Sequence, residues 1–120
     1  MLKEPIFKIL SITHGDNSVT AVLEIDQENE IFNGHFPDHP VVPGACMLQI
    51  VKEVLADALK VSLRLVKADN IKFLSLIHPS ARSLQLNIAY HVIDTNIKVN
   101  ASLSTGETTC MKLQGMFTVL

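Results

Sequence analysis

At 120 residues the chain has the length of one ordinary domain, with room for a real core and too little for two. Its 48% hydrophobic content and mean hydropathy of +0.29 exceed those of a typical soluble domain, so part of the surface is expected to be hidden in a partner or an assembly. The formal charge of -2, with no run of Lys or Arg, gives no footing on nucleic acid or an anionic membrane, and neither is an expected partner.

The first segment, Ile6 to Ile12, is apolar and β-friendly, "HGDN" at 14–17 is a turn, and Ser18 to Ile25 alternates through Val19, Ala21, Leu23 and Ile25. The pair is predicted to form an antiparallel hairpin. A polar link, "DQENE", leads to a loop whose Pro37, Pro40 and Pro43 forbid regular helix between Phe36 and Val42. From Gly44 to about Lys60 there is no Pro or further Gly, and the residues are apolar nearly all round, as in a buried helix. Its polar positions, Gln49, Lys52 or Glu53, Asp57 and Lys60, recur at three-to-four spacing and predict one narrow stripe that faces something wet. Leu63 to Ile77, Ser83 to Ile93, Ile97 to Leu103 and Thr108 to Leu120 then read as a long meander of strands, broken at "HPSA", "DTN" and "STGE". The simplest packing is α+β, with one curved antiparallel sheet wrapped around a single long buried helix in one domain, 1–120. Cys46 and Cys110 fit neither a disulfide framework nor a metal knuckle, and no signal peptide is evident, which points to a reducing cytoplasm.

Candidate chemistry concentrates in "NGHFPDHPVVPGACMLQIVKEVL", residues 33–55. A histidine such as His35, held in a proline-stiffened loop beside a helix, is preorganised, and its ordinary pKa near neutrality suits proton abstraction. An isolated histidine, however, more often bridges loop backbone. At the "VPGAC" junction Gly44 admits close approach to the backbone, and the free N–H groups of the first helical turn could polarise a carbonyl oxygen, although Pro-Gly is also a common helix entry. His35 and His39 do not form a metal pair, because the prolines break the helical spacing and no further ligand is evident, so no metal is expected. Cys46, in the first helical turn, reads as a small buried hydrophobe rather than a nucleophile.

The string "GHFPDHPVVPG", Gly34 to Gly44, closely resembles the signature of the β-hydroxyacyl-acyl-carrier-protein dehydratases, the hotdog-fold enzymes of fatty acid synthesis. In that family the motif leads into an apolar helix wrapped by a curved antiparallel sheet, which agrees with the layout read from the residues. "IKFLSLIHP", Ile71 to Pro79, resembles a later strand and turn of the family through Lys72, Phe73 and Pro79, with Ser80 and Ala81 standing where Gly and Asp are usual. The chain opens almost directly on its first strand, without the segment that helps form the acyl tunnel in many members, so the resemblance leaves the tunnel's shape open.

The resemblance implies a syn-type elimination of water from a 3-hydroxyacyl thioester. His35 would remove the α-proton and the Gly44 N–H would polarise the thioester carbonyl, with Phe36, Pro43, Ala45 and Glu53 binding substrate. The family's helix acid, five residues after the last motif glycine, falls on Gln49. A primary amide hydrogen-bonds but cannot give the leaving hydroxyl a proton. Glu53, one turn or about 5 Å further on, replaces it only in a reshaped pocket. Three readings follow. The first is a dehydratase slowed by Gln49, the second an acyl-thioester hydrolase, and the third a non-catalytic or half-site subunit pairing with an acid-bearing partner. The resemblance also implies a homodimer, or a heterodimer with another dehydratase subunit. No diffusible cofactor is implied, the acyl chain being carried on the phosphopantetheine of acyl carrier protein or coenzyme A. Lys52, Arg64, Lys67 and Arg82 are the candidate cations for an acidic carrier.

Overall fold

The computed structural model describes residues 7–26, 44–77, 83–106 and 108–120. Its elements are β1 (Phe7–Gly15), β2 (Ser18–Ile25), α1 (Gly44–Leu59), β3 (Leu63–Phe73), β4 (Leu84–Ile93), β5 (Asn96–Thr105) and β6 (Thr108–Val119). The hairpin and helix fall where the apolar periodicity puts them. The third strand is shorter than predicted, because from Leu74 the chain leaves the ladder and the amides of Leu74 and Ser75 share the Cys110 carbonyl, at 2.8 and 3.3 Å.

Six strands form one antiparallel sheet in the order β1-β2-β4-β5-β6-β3. The predicted meander therefore holds only for β4, β5 and β6. β3 crosses to the far edge beside β6, and β2 pairs with β4 instead. The reason lies in the side chains. β4 alternates buried Leu84, Leu86 and Ile88 with more exposed residues and suits the sheet interior. β3 has no such alternation and bulges at Val66 and Asp69, features that suit an edge.

α1 lies against one face of this sheet. Cys46, Met47, Ile50, Val51, Val54 and Leu55 bury into a core completed by Val19, Ala21 and Leu23 of β2, Leu86 and Ile88 of β4, Leu103 of β5 and Leu113 and Phe117 of β6. Burying a Leu or Phe side chain of this kind contributes about 1.5–3 kcal/mol. The helix ends where Lys60 turns to φ 58° and the Val61 amide reaches back to the Ala56 carbonyl at 3.2 Å, closing a Schellman cap without glycine. Gln49, Glu53 and Asp57, followed by Lys60 just past the helix end, are the exposed stripe that the sequence pattern predicts, with Glu53 rather than half-buried Lys52 on it, and exposed Ala45 extends it to the first turn.

Candidate functional site

The site is built at the start of α1. Gly44 opens the helix, and the first-turn N–H groups have no partner further back within the helix, so the positive end of the helix dipole collects there. No carboxylate stands in that first turn to neutralise it. A carbonyl oxygen acquiring negative charge would find donors and a favourable field at this point.

Phe73, the last residue of β3, lies directly over Gly44. A methyl group on Gly44 would sit 2.8 Å from the ring's Cζ and 3.1 Å from Cε1, so only glycine leaves the ring in place. The ring itself is 54% exposed, and Leu74 and Leu76, which follow it, are 53% and 78% exposed. An apolar wall thus extends from the helix start toward the free edge of the sheet. Although Lys72 and Phe73 belong to the resemblance motif, the spacing gave Phe73 no role; only the strand's crossing to the β6 edge brings it to Gly44.

One turn along the exposed stripe, Gln49 donates from Nε2 to Glu53 Oε1 at 3.2 Å. A carboxylate oxygen accepts, so the pairing sets the amide with its nitrogen toward Glu53 and leaves Oε1 and one N–H for another partner. Gln49 thus faces the open side of the helix and not the core. Cys46 points the other way into the core, where burial pushes its thiol pKa up and keeps it protonated, the state of a packing residue.

Gly44 and Ala45 therefore open the helix, and Gln49 and Glu53 follow Ala45 along its exposed stripe, Glu53 past the middle of the helix. His35, Phe36, Pro43 and His39 lie outside the described residues, as do Pro79, Ser80, Ala81 and Arg82. Of the candidate carrier-binding cations, Lys52 is half-buried on α1, while Arg64 and Lys67 are exposed on β3, nine and six residues before Phe73. At about 3.3 Å per residue those two stand roughly 30 and 20 Å from the Phe73 end of the strand. Among the described residues no group of three His, Cys, Asp or Glu side chains is placed to hold a metal ion, and no helix is long and apolar enough to cross a membrane.

Comparison with known proteins fits this architecture. A chain of the dehydratase heterocomplex ApeI:P from Xenorhabdus doucetiae superposes with a TM-score of 0.76 at 19% identity, over 96% of this chain and 98% of that one. The fluoroacetyl-CoA-specific thioesterase FlK superposes with a TM-score of 0.71 at 9% identity, over 90% and 88% of the two chains. At such identities the likeness carries the fold, which is the hotdog fold. Among curated proteins, the 3-hydroxyacyl-acyl-carrier-protein dehydratase FabZ of Psychrobacter arcticus is 38% identical over 47 residues, 39% of this chain and 32% of that protein. Such matches span about a third of the length of the curated relatives. The model of the ApeI-like family, described as ApeI dehydratase, matches residues 11–112. That match runs from β1 into β6 across the histidine loop and the whole of α1, and on this extent the chain belongs to the ApeI-like dehydratase family.

Proposed function

We propose that the protein removes water from a 3-hydroxyacyl thioester to give the 2-enoyl thioester, in the synthesis of fatty acids or a related acyl chain in the cytoplasm. The observation that carries this reading is the helix start within a dehydratase family match. There, a first turn that itself contains no carboxylate presents its N–H groups beside the Phe73 ring, and the Gln49 amide, bonded to Glu53, follows along the same helix. In this reading the His35 imidazole takes the C2 proton, the electrons of that bond form the C2–C3 double bond, and the C3–hydroxyl bond breaks. The charge that gathers on the thioester oxygen meets the Gly44 N–H. The departing hydroxyl becomes water by taking the proton held on His35, directly or through a water bound by Gln49, since the amide has none to give. Phe36, Pro43, Ala45 and Glu53 contact the acyl thioester. The acyl chain rides on phosphopantetheine of a carrier protein or coenzyme A, and the chemistry calls for no metal or diffusible cofactor.

A shared site is a second reading with its own support. The edge strand β3 exposes Leu65 and Val66 near its start and Phe73 at its end beside Gly44, and the helix that Gly44 opens carries Gln49 in place of the family's acid. A second subunit paired along this edge would cover them. The partner is another copy of this chain or an acid-bearing dehydratase subunit, a reading supported by the structurally similar ApeI:P, which is a dehydratase heterocomplex.

The experiment is conversion of 3-hydroxyacyl-carrier protein by the purified protein, by His35→Ala and by Gln49→Glu. Turnover abolished in His35→Ala and raised about a hundredfold in Gln49→Glu is the expected result, the size of a restored general acid. Release of free acid and thiol instead of enoyl product would make the protein a thioesterase. Silence in all three, with acyl carrier still bound, would leave the half-site subunit.

A further inference from the structure

On the sheet face turned away from α1, the register sets side chains in straight rows across four strands. One row runs His91 on β4, Lys98 on β5, Met116 on β6 and Lys67 on β3. The next runs Ala89, Asn100, Gln114 and Asn70, and the third Asn87, Ser102, Lys112 and Lys72. Their sequence neighbours Val99, Ala101, Leu103, Leu113 and Phe117 are buried toward the helix, so these rows face outward. Two adjoining shallow concavities of about 410 and 640 Å³ share Asn100 and Gln114 at their boundary, with Lys67, Lys98 and Met116 in the first and Lys112 in the second.

We infer that this outer face is a docking surface for an acidic α-helical segment of a partner protein. Charge is segregated on it. Arg64, which pairs with Thr118, joins Lys67, Lys72, Lys98 and Lys112, so five of the chain's ten Lys and Arg residues occupy one face of a chain whose formal charge is -2. The four strands contain a single carboxylate, Asp69, which sits at a bulge and is already held by Lys67 at 3.3 Å. Lys112 faces Lys72 across the ladder without an intervening acid. Half-buried Met116 and small Ala89, which line the same concavity on either side of β5, supply an adaptable apolar seat between the cations. Four strands at about 4.8 Å spacing give a face roughly 15 Å across, enough for a helix about 10–12 Å wide. Acidic residues three or four apart on such a helix stand about 5–6 Å from one another, close to the interval between these rows. Nucleic acid fits less well, because the rest of the chain carries a net negative charge that repels a polyanion and no Phe, Tyr or Trp stands in the rows to stack on bases. A bilayer fits less well too, since the rows present amides and hydroxyls rather than inserting apolar groups.

The test is an amide NMR titration of the full chain with a Glu-rich helical peptide of about 15 residues, beside a Lys-rich analogue. The expected result is perturbation centred on Lys98, Asn100, Lys112 and Gln114, with the Lys-rich peptide inert. Affinity should fall about tenfold between about 0.1 and 1 M salt, and by as much again in Lys98→Glu/Lys112→Glu. Both lysines are exposed, so the fold is retained and verified by the unchanged spectrum of the free variant; Lys98→Gln, a milder change, gives an intermediate loss. Perturbation centred on the α1 stripe or the β3 edge, or binding unaffected by charge reversal, would overturn the proposal. Tighter binding of a short DNA duplex or of phosphatidylglycerol vesicles would overturn its choice of partner.

Discussion

Gly115 on β6 and Gly44 at the start of α1 both stand where a methyl group has no room, yet what crowds them differs in kind. At Gly115 the added carbon would meet the Lys67 carbonyl oxygen at 2.6 Å and the Ala68 Cα at 3.3 Å, both backbone atoms of the edge strand. At Gly44 it would meet the tip of the Phe73 ring, a side chain more than half exposed. β3 carries two bulges opposite the middle of β6, and between them its backbone presses onto the sheet at Gly115. The first glycine therefore holds the edge strand in register, while the second holds one ring against a helix end. Fold and site meet on the same strand, and only the fold end is rigid.

The largest effect is expected from Gly115→Ala. Backbone cannot swing aside as a side chain can, so the substitution forces β3 away from β6 and costs about 1–3 kcal/mol, the range for overpacking. Urea unfolding measures it, and a loss below about 0.5 kcal/mol would mean the edge strand yields as easily as the ring. Gly44→Ala comes next in size and moves a different quantity. Phe73 rotates toward solvent at little cost, and alanine favours the helix slightly more than glycine, so stability changes by less than about 1 kcal/mol. The displaced ring opens the wall beside the first-turn donors, and turnover falls about tenfold, close to 1.4 kcal/mol in the barrier. Equal losses in both assays for both variants would erase the distinction between the two ends of β3.

The same distinction explains what could be read from the sequence. The helix from Gly44, its exposed stripe and the β1–β2 hairpin follow from periodicity, because each depends on residues close in the chain. The place of β3 does not, since crossing to the β6 edge is decided by which strand best fills the interior, a competition among distant segments. Phe73 over Gly44 and Gly115 under Lys67 are products of that crossing and were invisible for the same reason. Gln49 was legible as the residue standing in the acid's place. Its bond to Glu53 needed only the four-residue spacing, a signal present in the sequence but read there as a shared stripe rather than as a pair.

That pair yields a smaller effect. Gln49→Glu replaces a hydrogen bond with two carboxylates one turn apart, a like-charge contact that costs about 0.2–0.5 kcal/mol at neutral pH. The stripe is solvated, so added salt should remove most of the penalty. Thermal unfolding at low and high salt checks it, and a penalty that salt leaves untouched would mean Gln49 is held by packing rather than by Glu53. A stability loss this slight also makes any gain in turnover by the variant readable as chemistry.

The smallest effect comes from Cys46, two residues into the helix beyond Gly44 but packed like the Gly115 region rather than the site. Burial raises its thiol pKa above the ordinary value of 9.0, while the unfolded chain titrates near that value. The unfolded state therefore sheds the proton first as pH rises, and it gains stability relative to the folded state. The contribution is fully present below about pH 9 and is lost as pH climbs from there through the raised folded value. Cys46→Ala should lose less stability between neutral pH and pH 10 than the parent chain does, measured by urea midpoints at each pH. Iodoacetamide should leave Cys46 unmodified in the folded protein at neutral pH, because neither access nor thiolate is available. Ready alkylation would show that the first turn of α1 opens to solvent, and the helix start would then be adaptable on its core side as well as under Phe73.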